Sequence, residues 1–423
     1  MKHQILKRYP IGNPRRLWQQ ENFVLSTFSV RGKNMRDALE NCADAGFNMV
    51  ELGWASHKEA EEALRICEEL RLPLLFQDFS ECGGMQAHRL DRVVTKEKMK
   101  AFCDHLRPWN CLAGWYVWDE PYHDDQLAEA RRQADLYQRE MPDKLPFTVA
   151  IPSYNNDFRW ENGEFAGYLH RYAQVIDPPV LSLDFYPIGL PGYEKEKQLD
   201  KSYFWCDLAQ MREVGRAYNL PLWFYYQALP MHGWKDFTFP MARMMMYASV
   251  LYGVKGLQQF TAVGSTILQN GKKGPFFEEQ KQIHAEFAKL GNTLMALENR
   301  FVFHSQDLYD GTPAYAPFID ALSESAVLAD QPLPTRCSVG ELADAYGNTY
   351  LLVLNRDFEK EQTFELPLKA QSHLYLVDRT DGRQHALADA SALTVTLAPG
   401  DAALFRVQNA DENAYTVEYR IEK

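Results

Sequence analysis

The sequence has no run of about 18 or more uncharged apolar residues, so no membrane-spanning helix is expected. Its first residues, Met1-Lys2-His3-Gln4-Ile5-Leu6-Lys7-Arg8, are basic but lack the apolar stretch of a secretory signal. Cysteine is sparse: seven in 423 residues, at 42, 67, 82, 103, 111, 206 and 337, with no CxxC pair. An odd, scattered set is not a disulfide framework; it reads as reduced core thiols in a cytoplasmic protein. Bases are outnumbered, 45 Lys and Arg against 57 Asp and Glu, for a net charge of -12. That balance argues against a dominant phosphate-binding surface and so against nucleic acid as the main partner. HExxH and histidine pairs spaced for a metal are missing, and no cofactor is implied. What is abundant is aromatic: 9 Trp, 22 Tyr and 24 Phe in a chain that is 46% hydrophobic and 24% charged. This is globular composition, and it excludes a disordered, collagenous or coiled-coil chain.

From about residue 21, short apolar runs alternate with stretches of helical periodicity. Strands are expected at 23–30, 47–54, 72–79, 112–118, 145–151, 180–185, 220–226 and 254–260. Helices are expected at 35–45, 57–70, 96–106, 124–139, 165–175, 203–218, 240–252 and 278–298. Gly46 closes the first helix, and Asp124 and Asp125 suit the start of the fourth. Eight strand-helix repeats predict an α/β fold, a (β/α)8 TIM barrel. A doubly wound sheet would need a Gly-rich phosphate loop after the first strand, and Ser26-Thr27-Phe28-Ser29 is not one. After Asn299 the pattern changes to short strand-like runs at 350–355, 362–366, 374–377, 393–397 and 402–407. Turn residues separate them, among them Gly347-Asn348, Asp381-Gly382 and Pro399-Gly400-Asp401. The expected division is a barrel over 1–298 and a small all-β sandwich over 299–423, with the first 20 or so residues padding the bottom or side of the barrel.

A barrel of this kind does its chemistry at the C-terminal ends of the strands. Those positions hold Glu51 and Trp54, Gln77 and Asp78, Asp119 and Glu120, Tyr154, Asn155 and Asn156, Asp184 and Tyr186, Gln227, and Gln258 and Gln259. They are carboxylates, carboxamides and aromatics. Lysine is absent from them, which leaves Schiff-base chemistry without a nucleophile. The most specific string is Gly114-Trp115-Tyr116-Val117-Trp118-Asp119-Glu120-Pro121. Two adjacent acids at a strand end raise each other's pKa, which suits a general acid. Adjacent side chains need not both face inward, so one catalytic acid and one supporting residue are expected. The bland alternative is a pair of solvated acids capping the next helix. His123, and His232 after strand seven, read as solvated loop residues. The segment Asp119, Glu120, His123, Asp124, Asp125 is not read as a metal cluster, since helix-start charge explains its last two members.

On these residues the chain resembles a clan-A-type glycoside hydrolase, a TIM-barrel family that carries a trailing β-sandwich. In that clan the acid/base glutamate ends strand four and often precedes proline, as Glu120 does. The segment 246–256 is similar to the helix-seven to strand-eight region of such enzymes, and 351–357 with 399–402 to their C-terminal sandwich. The resemblance implies cleavage of a glycosidic bond in an oligosaccharide or small glycoside, a carbohydrate partner, and no cofactor. It implies aromatic walls for the sugar, candidates being Trp54, Trp118, Tyr154, Tyr186 and Tyr226, and polar contacts from Asp78, Asp119, Asn155, Gln227 and Gln259. One departure stands out. The clan's nucleophile is a glutamate at the end of strand seven, where Tyr225-Tyr226-Gln227 places a carboxamide. Three readings stay open: another carboxylate serves, with Asp184 the candidate; the glutamine is an engineered replacement; or the protein binds carbohydrate without cleaving it. A lyase or isomerase acting on a sugar acid is a further class, disfavoured by the scarcity of bases at the strand ends.

Overall fold

The computed structural model describes residues 2–30, 34–53, 55–77, 94–154, 164–189, 203–231, 236–308 and 319–423. Trp54, Asp78, Asn155, Asn156 and His232 lie outside them. After an opening strand β1 (Lys2–Arg8), eight parallel strands alternate with helices: β2 (Val24–Thr27), β3 (Val50–Glu51), β4 (Leu74–Phe76), β5 (Leu112–Asp119), β6 (Leu145–Val149), β7 (Leu181–Phe185), β8 (Leu222–Gln227) and β9 (Gly256–Phe260). The helices among the described residues are α1 (Met35–Asp44), α2 (His57–Leu70), α3 (Lys96–Leu106), α4 (Asp124–Glu140), α5 (Glu164–Ile176), α6 (Phe204–Tyr218), α7 (Phe239–Leu251) and α8 (Phe277–Ala296). The strands form two four-stranded arcs, β2-β9-β8-β7 and β3-β4-β5-β6. A bridge between Ala150 and Leu183 joins the arcs on one side. Bonds from Val30 N to Glu51 O and from Asn48 N to Leu25 O, both 3.0 Å, join them on the other. The sheet is therefore closed, and the molecule is a (β/α)8 barrel followed by an all-β sandwich domain.

Strand parity sorts the side chains. On β8, Phe224 and Tyr226 face the helices, whereas Trp223 and Tyr225 join Phe28, Tyr116, Phe147 and Tyr186 inside the barrel. The interior is thus filled largely by rings, which accounts for much of the aromatic excess. Its N-terminal end is stoppered by the segment after β1. Trp18 packs edge-on against Trp223 at 6.0 Å, and the Trp223 indole N–H donates to Gln20 Oε1 at 2.8 Å. Among the described residues no helix is long and apolar enough to cross a membrane.

The β domain comprises β10 (Glu298–His304), β11 (Cys337–Ala343), β12 (Thr349–Asn355), β13 (Gln362–Val377), β14 (Gln384–Ala386), β15 (Ala390–Leu397), β16 (Ala402–Asn409) and β17 (Tyr415–Ile421). Their order is β10-β11-β12-β16-β13-β14, with β15 paired to the first half of β13. The runs at 362–366 and 374–377 are one strand here. Its register against β15 breaks between Pro367 and Ser372, and from Ser372 to Leu376 it pairs with β16. β12 is buried on both faces: Leu351 and Val353 enter the sandwich core, while Leu352 and Leu354 pack toward the barrel. Helix α7 lies against this surface and is buried nearly all round, so Met244, Met245 and Met246 are packing residues of the seam. Arg379 fastens the seam, donating to Asp401 at 2.7 Å and to Glu286 of α8 at 3.4 Å. β1 lies outside the barrel sheet and pairs in parallel with β17, from Lys2 opposite Tyr415 to Arg8 opposite Ile421.

Gly114 shows how tightly β5 is fitted to β6. A Cβ there would lie 2.1 Å from the Leu145 carbonyl oxygen, which is backbone and cannot swing aside. Gly114→Ala is therefore expected to destabilise the protein by about 1–3 kcal/mol or more, read by denaturant unfolding. Unchanged stability would show that β5 and β6 separate more easily than this packing allows.

Candidate active site

Two local devices bring the strand-four acids to one place. β5 has a register irregularity against β6 between Tyr116 and Trp118. The bulge breaks the alternation, so Asp119 turns to the same side as Tyr116, whose hydroxyl donates to Asp119 Oδ1 at 2.9 Å. Glu120 then has φ +50°, a left-handed conformation uncommon for a residue with a side chain. Pro121 disfavours the ordinary right-handed alternative at that position. The Glu120 N–H stays tied to Val149 O at 3.1 Å. Its carboxyl comes near enough to that of Asp184 for each to act on the other's proton affinity. Asp184 reaches the same spot by simple parity, since Ser182, Asp184 and Tyr186 lie on one side of β7 and its extension while Leu181, Leu183 and Phe185 pack outward. Both members of the Asp119-Glu120 pair thus reach the barrel mouth.

The three acids are poorly solvated. Burial pushes the Asp119 carboxyl up to about 6, against a bond from Tyr116 that opposes the rise. Burial, and then the neighbouring Asp119 charge, push Glu120 up to about 8, although Asp184 pulls the other way. Asp184 is raised by burial and by the charges of Glu120 and Asp119, with a bond to Tyr186 opposing. Its Oδ1 is buried with no hydrogen-bond partner. Two neighbouring carboxyls that raise each other's proton affinity give up their protons in separate steps, so the pair can offer an acid and a carboxylate together.

Of the proposed aromatic contacts, two stand beside this pair. Tyr154 packs edge-on against Phe185 at 5.0 Å, and the charges of Asp184 and Glu120 act on its hydroxyl. The charge of Asp184 acts on the Tyr186 hydroxyl, and the Tyr186 ring lies 4.6 Å from Phe260. Others are placed elsewhere. Trp118 is 3% exposed and belongs to the core between strands and helices, because the bulge that turns Asp119 inward turns Trp118 outward. Tyr226 has outward parity, and its hydroxyl accepts from Gln280 of α8 at 3.1 Å. Gln259 is fully buried, and its amide donates to Ser265 at 3.1 Å and Thr266 at 2.9 Å in the following loop. None of the three presents a surface to a ligand. His123 precedes α4, where its N–H and that of Tyr122 are both bound by Gln126 Oε1.

Gln227 is a backbone clamp. Its Oε1 accepts from Ile188 N at 2.9 Å, and its Nε2 donates to Ile188 O at 2.9 Å and Leu229 O at 3.1 Å. The segment after β7 is thereby fastened to the end of β8. Only an amide can both donate and accept in this way, so a carboxylate would face two carbonyl oxygens.

Behind the acids lies a buried polar cluster outside the chosen site residues. Glu51, at the end of β3, is wholly buried and accepts from Ser26, Tyr225 and, at 2.9 Å, Gln258 Nε2. Burial raises its proton affinity, those three bonds oppose the rise, and the Asp119 charge adds to it. Gln258 Oε1 in turn accepts from Ser182 at 2.7 Å. Glu51 and Gln258 stood among the strand-end positions; Tyr116 and Tyr225 sit lower on their strands, and only matching their parity to that of Asp119 and Glu51 would have found them.

Two outcomes follow from this geometry. Gln227→Glu should lower stability by about 1–3 kcal/mol in denaturant unfolding, since it aims a carboxylate at two carbonyls. An equally stable variant would show that the clamp does not hold the loop. For Asp119, the folded value near 6 lies above the ordinary 3.8. The folded state binds this proton more tightly, so the associated stability is complete below about pH 4 and lost as pH rises through about 6. Asp119→Asn should therefore stabilise the protein by on the order of 1–3 kcal/mol above about pH 7 and by little near pH 4. A gain confined to low pH would contradict it.

No protein-family model matches the sequence, and no curated protein is similar to it in sequence. Solved structures do share its fold. Alpha-galactosidase I from Mortierella vinacea superposes with a TM-score of 0.50 at 8% identity, over 95% of this chain and 100% of that one. A Bacteroides fragilis protein described as a candidate alpha-galactosidase/melibiase gives a TM-score of 0.50 at 12% identity, over 93% of this chain and 80% of its own. At such identities the likeness is one of fold alone.

Proposed function

We propose that the protein is a glycoside hydrolase that cleaves an O-glycosidic bond in an oligosaccharide or small glycoside, with Glu120 as general acid/base and Asp184 as the second carboxylate. The observation that carries this reading is the meeting of two poorly solvated carboxyls, Glu120 after barrel strand four and Asp184 on barrel strand six, at the barrel mouth. The fold shared with glycosidases supports it. In this reading 1–298 is the catalytic unit and 299–423 the domain that braces it.

With Asp184 as nucleophile the reaction is a double displacement. Asp184 attacks the anomeric carbon while Glu120 gives its proton to the departing oxygen. Water next attacks the glycosyl-enzyme, Glu120 takes its proton, and Asp184 leaves as the carboxylate, so the anomeric configuration is retained. Tyr186 steadies Asp184, and Tyr154 offers an aromatic wall. Gln227 takes no part beyond holding the loop.

A second reading, a carbohydrate-binding protein without turnover, rests on the glutamine at the end of β8. Its amide is consumed by three backbone bonds, which gives it a reason to be there whether or not the protein is catalytic.

Across a panel of aryl glycosides and oligosaccharides, Glu120→Gln should lower kcat by about 10²–10⁴-fold with an unchanged circular dichroism spectrum. Turnover equal to that of the parent removes the acid assignment, and sugar binding without product in the parent favours the second reading. The first product seen by proton NMR should keep the substrate's anomeric configuration; inversion would exclude Asp184 as nucleophile.

A further inference from the structure

The turn that carries Glu120 is fastened at two points, and one of them is a side chain that the proposed hydrolysis does not use. The first is the Glu120 N–H itself, which donates to Val149 O at 3.1 Å and continues the β5–β6 ladder past Asp119. Beyond it the chain turns at the left-handed Glu120. A regular parallel ladder would go on with the Ile151 N–H donating to a carbonyl of the strand-four segment. Instead that N–H donates to the Tyr168 hydroxyl at 3.0 Å, and the hydroxyl donates to Pro121 O at 3.1 Å. A phenol gives one hydrogen and can accept another at the same time, so Tyr168 carries the interrupted ladder across the turn.

Its place suits it to this. Tyr168 lies on α5, is 1% exposed, and packs against Phe165 and Tyr172 with ring centroids at 6.2 and 6.0 Å. Ile151 and Pro121 are buried too, and a buried amide or carbonyl needs a partner. A left-handed residue with a side chain persists only where its surroundings hold it. Pro121 disfavours the right-handed alternative at Glu120. The Tyr168 bond resists the remaining freedom, since any rotation about the Glu120 backbone carries the Pro121 carbonyl with it.

Both fastenings lead to the same short stretch. Val149 O and Ile151 N serve the strand-four side, while Ala150 between them donates its N–H to Ser182 O of β7 at 2.8 Å. Asp184 follows Ser182 on the same face of β7. The end of β6 is therefore a rail, bonded on one side to the turn that carries Glu120 and on the other to the strand that carries Asp184. Slack at Pro121 would change the separation of the two carboxyls.

We propose that Tyr168 is a positioning residue for Glu120: its hydroxyl, held between Ile151 N–H and Pro121 O, fixes the strand-four turn to the end of β6 and so sets the Glu120 carboxyl against Asp184. The effect on turnover rests on the role proposed for Glu120, whereas the tether itself does not. The titratable groups that act with Glu120 are Asp119 beside it, Asp184 and Tyr186 of β7 and its extension, Tyr154 after β6, and Tyr168. Burial keeps the Tyr168 phenol protonated, so it acts as a neutral tether.

Tyr168→Phe removes the tether and keeps the ring. Tyr172→Phe is the control: it removes a buried hydroxyl from the same helix whose partner is Thr148 of β6 instead of the strand-four turn. The first readout is a carboxyl carbon-13 NMR titration of Glu120 in the substrate-free protein, with the resonance assigned by its loss in Glu120→Gln. The midpoint should fall by at least about one pH unit in Tyr168→Phe, a tenfold drop in proton affinity as the loosened carboxyl gains water, and stay in place in Tyr172→Phe. The second readout is turnover of a glycoside that the parent cleaves. There kcat should fall at least about tenfold in Tyr168→Phe with KM unchanged, and hold in the control. An unmoved Glu120 midpoint in folded Tyr168→Phe would overturn the proposal, and so would an equal fall in Tyr172→Phe. If Tyr168→Phe does not fold, Tyr168→4-aminophenylalanine keeps the ring and a donor for Pro121 but accepts poorly from Ile151, and is read the same way. A parent that cleaves no glycoside removes the hydrolase reading and leaves the midpoint to decide the tether.

Discussion

A carboxyl group withdrawn from water must be paired, hydrogen-bonded or protonated, and this barrel withdraws four of them at one end. Asp119, Glu120, Asp184 and Glu51 come from three strands, and every interaction shown for them is with another acid, a hydroxyl or an amide. Among the described residues, the partners of these acids are groups that donate or share hydrogens. That single constraint explains why phenols of β5 and β8 project between them and why Gln258 and Ser182 fill the remaining bonding positions. It also explains the uneven environment of the acids. Asp119 and Glu120 are partly open, Asp184 is buried, and Glu51 is sealed beneath rings.

The rest of the molecule holds these groups in place. The bulge in β5 and the left-handed Glu120 aim two consecutive side chains into one space. Strained backbone of that kind persists only in a rigid surround. The surround is the ring-filled interior, stoppered at its far end by Trp18 and Gln20, and the β domain that clasps α7 against the barrel. Gln227 belongs with these supports, since it fixes the segment that follows Asp184 and Tyr186.

The repeating architecture was legible in the sequence because each strand-helix unit carries its own periodicity and its own caps. Ser56 with Glu59 at α2 and the acids opening α4 are local signals that need no tertiary knowledge. The strand ends could be found for the same reason, and they included Glu51, Asp119, Glu120, Asp184 and Gln227. What could not be read was which way each side chain turns. Trp118 and Asp119 exchange faces because of one inserted residue, which leaves no mark in the residue pattern. Tyr226 and Gln259 were assigned to the cleft from nearness to a strand end, but parity sends them to α8 and the last barrel loop. The run β1 was missed as a strand because its partner lies at the other end of the chain. β13 was divided in two because Pro367 interrupts its pattern, although the strand bends there and continues.

The pairing of β1 with β17 has a mechanical meaning. The two strands run in the same direction, so a force applied to the start of β1 and the end of β17 pulls along the ladder from opposite ends. Such a load shears all the inter-strand bonds at once, whereas an antiparallel pair pulled from one end unzips them singly. The ladder extends over seven residue pairs, from Lys2 with Tyr415 to Arg8 with Ile421. Traction between the two ends of the chain would therefore meet its first resistance in this clasp, before any barrel strand or the acids at the barrel mouth bore load.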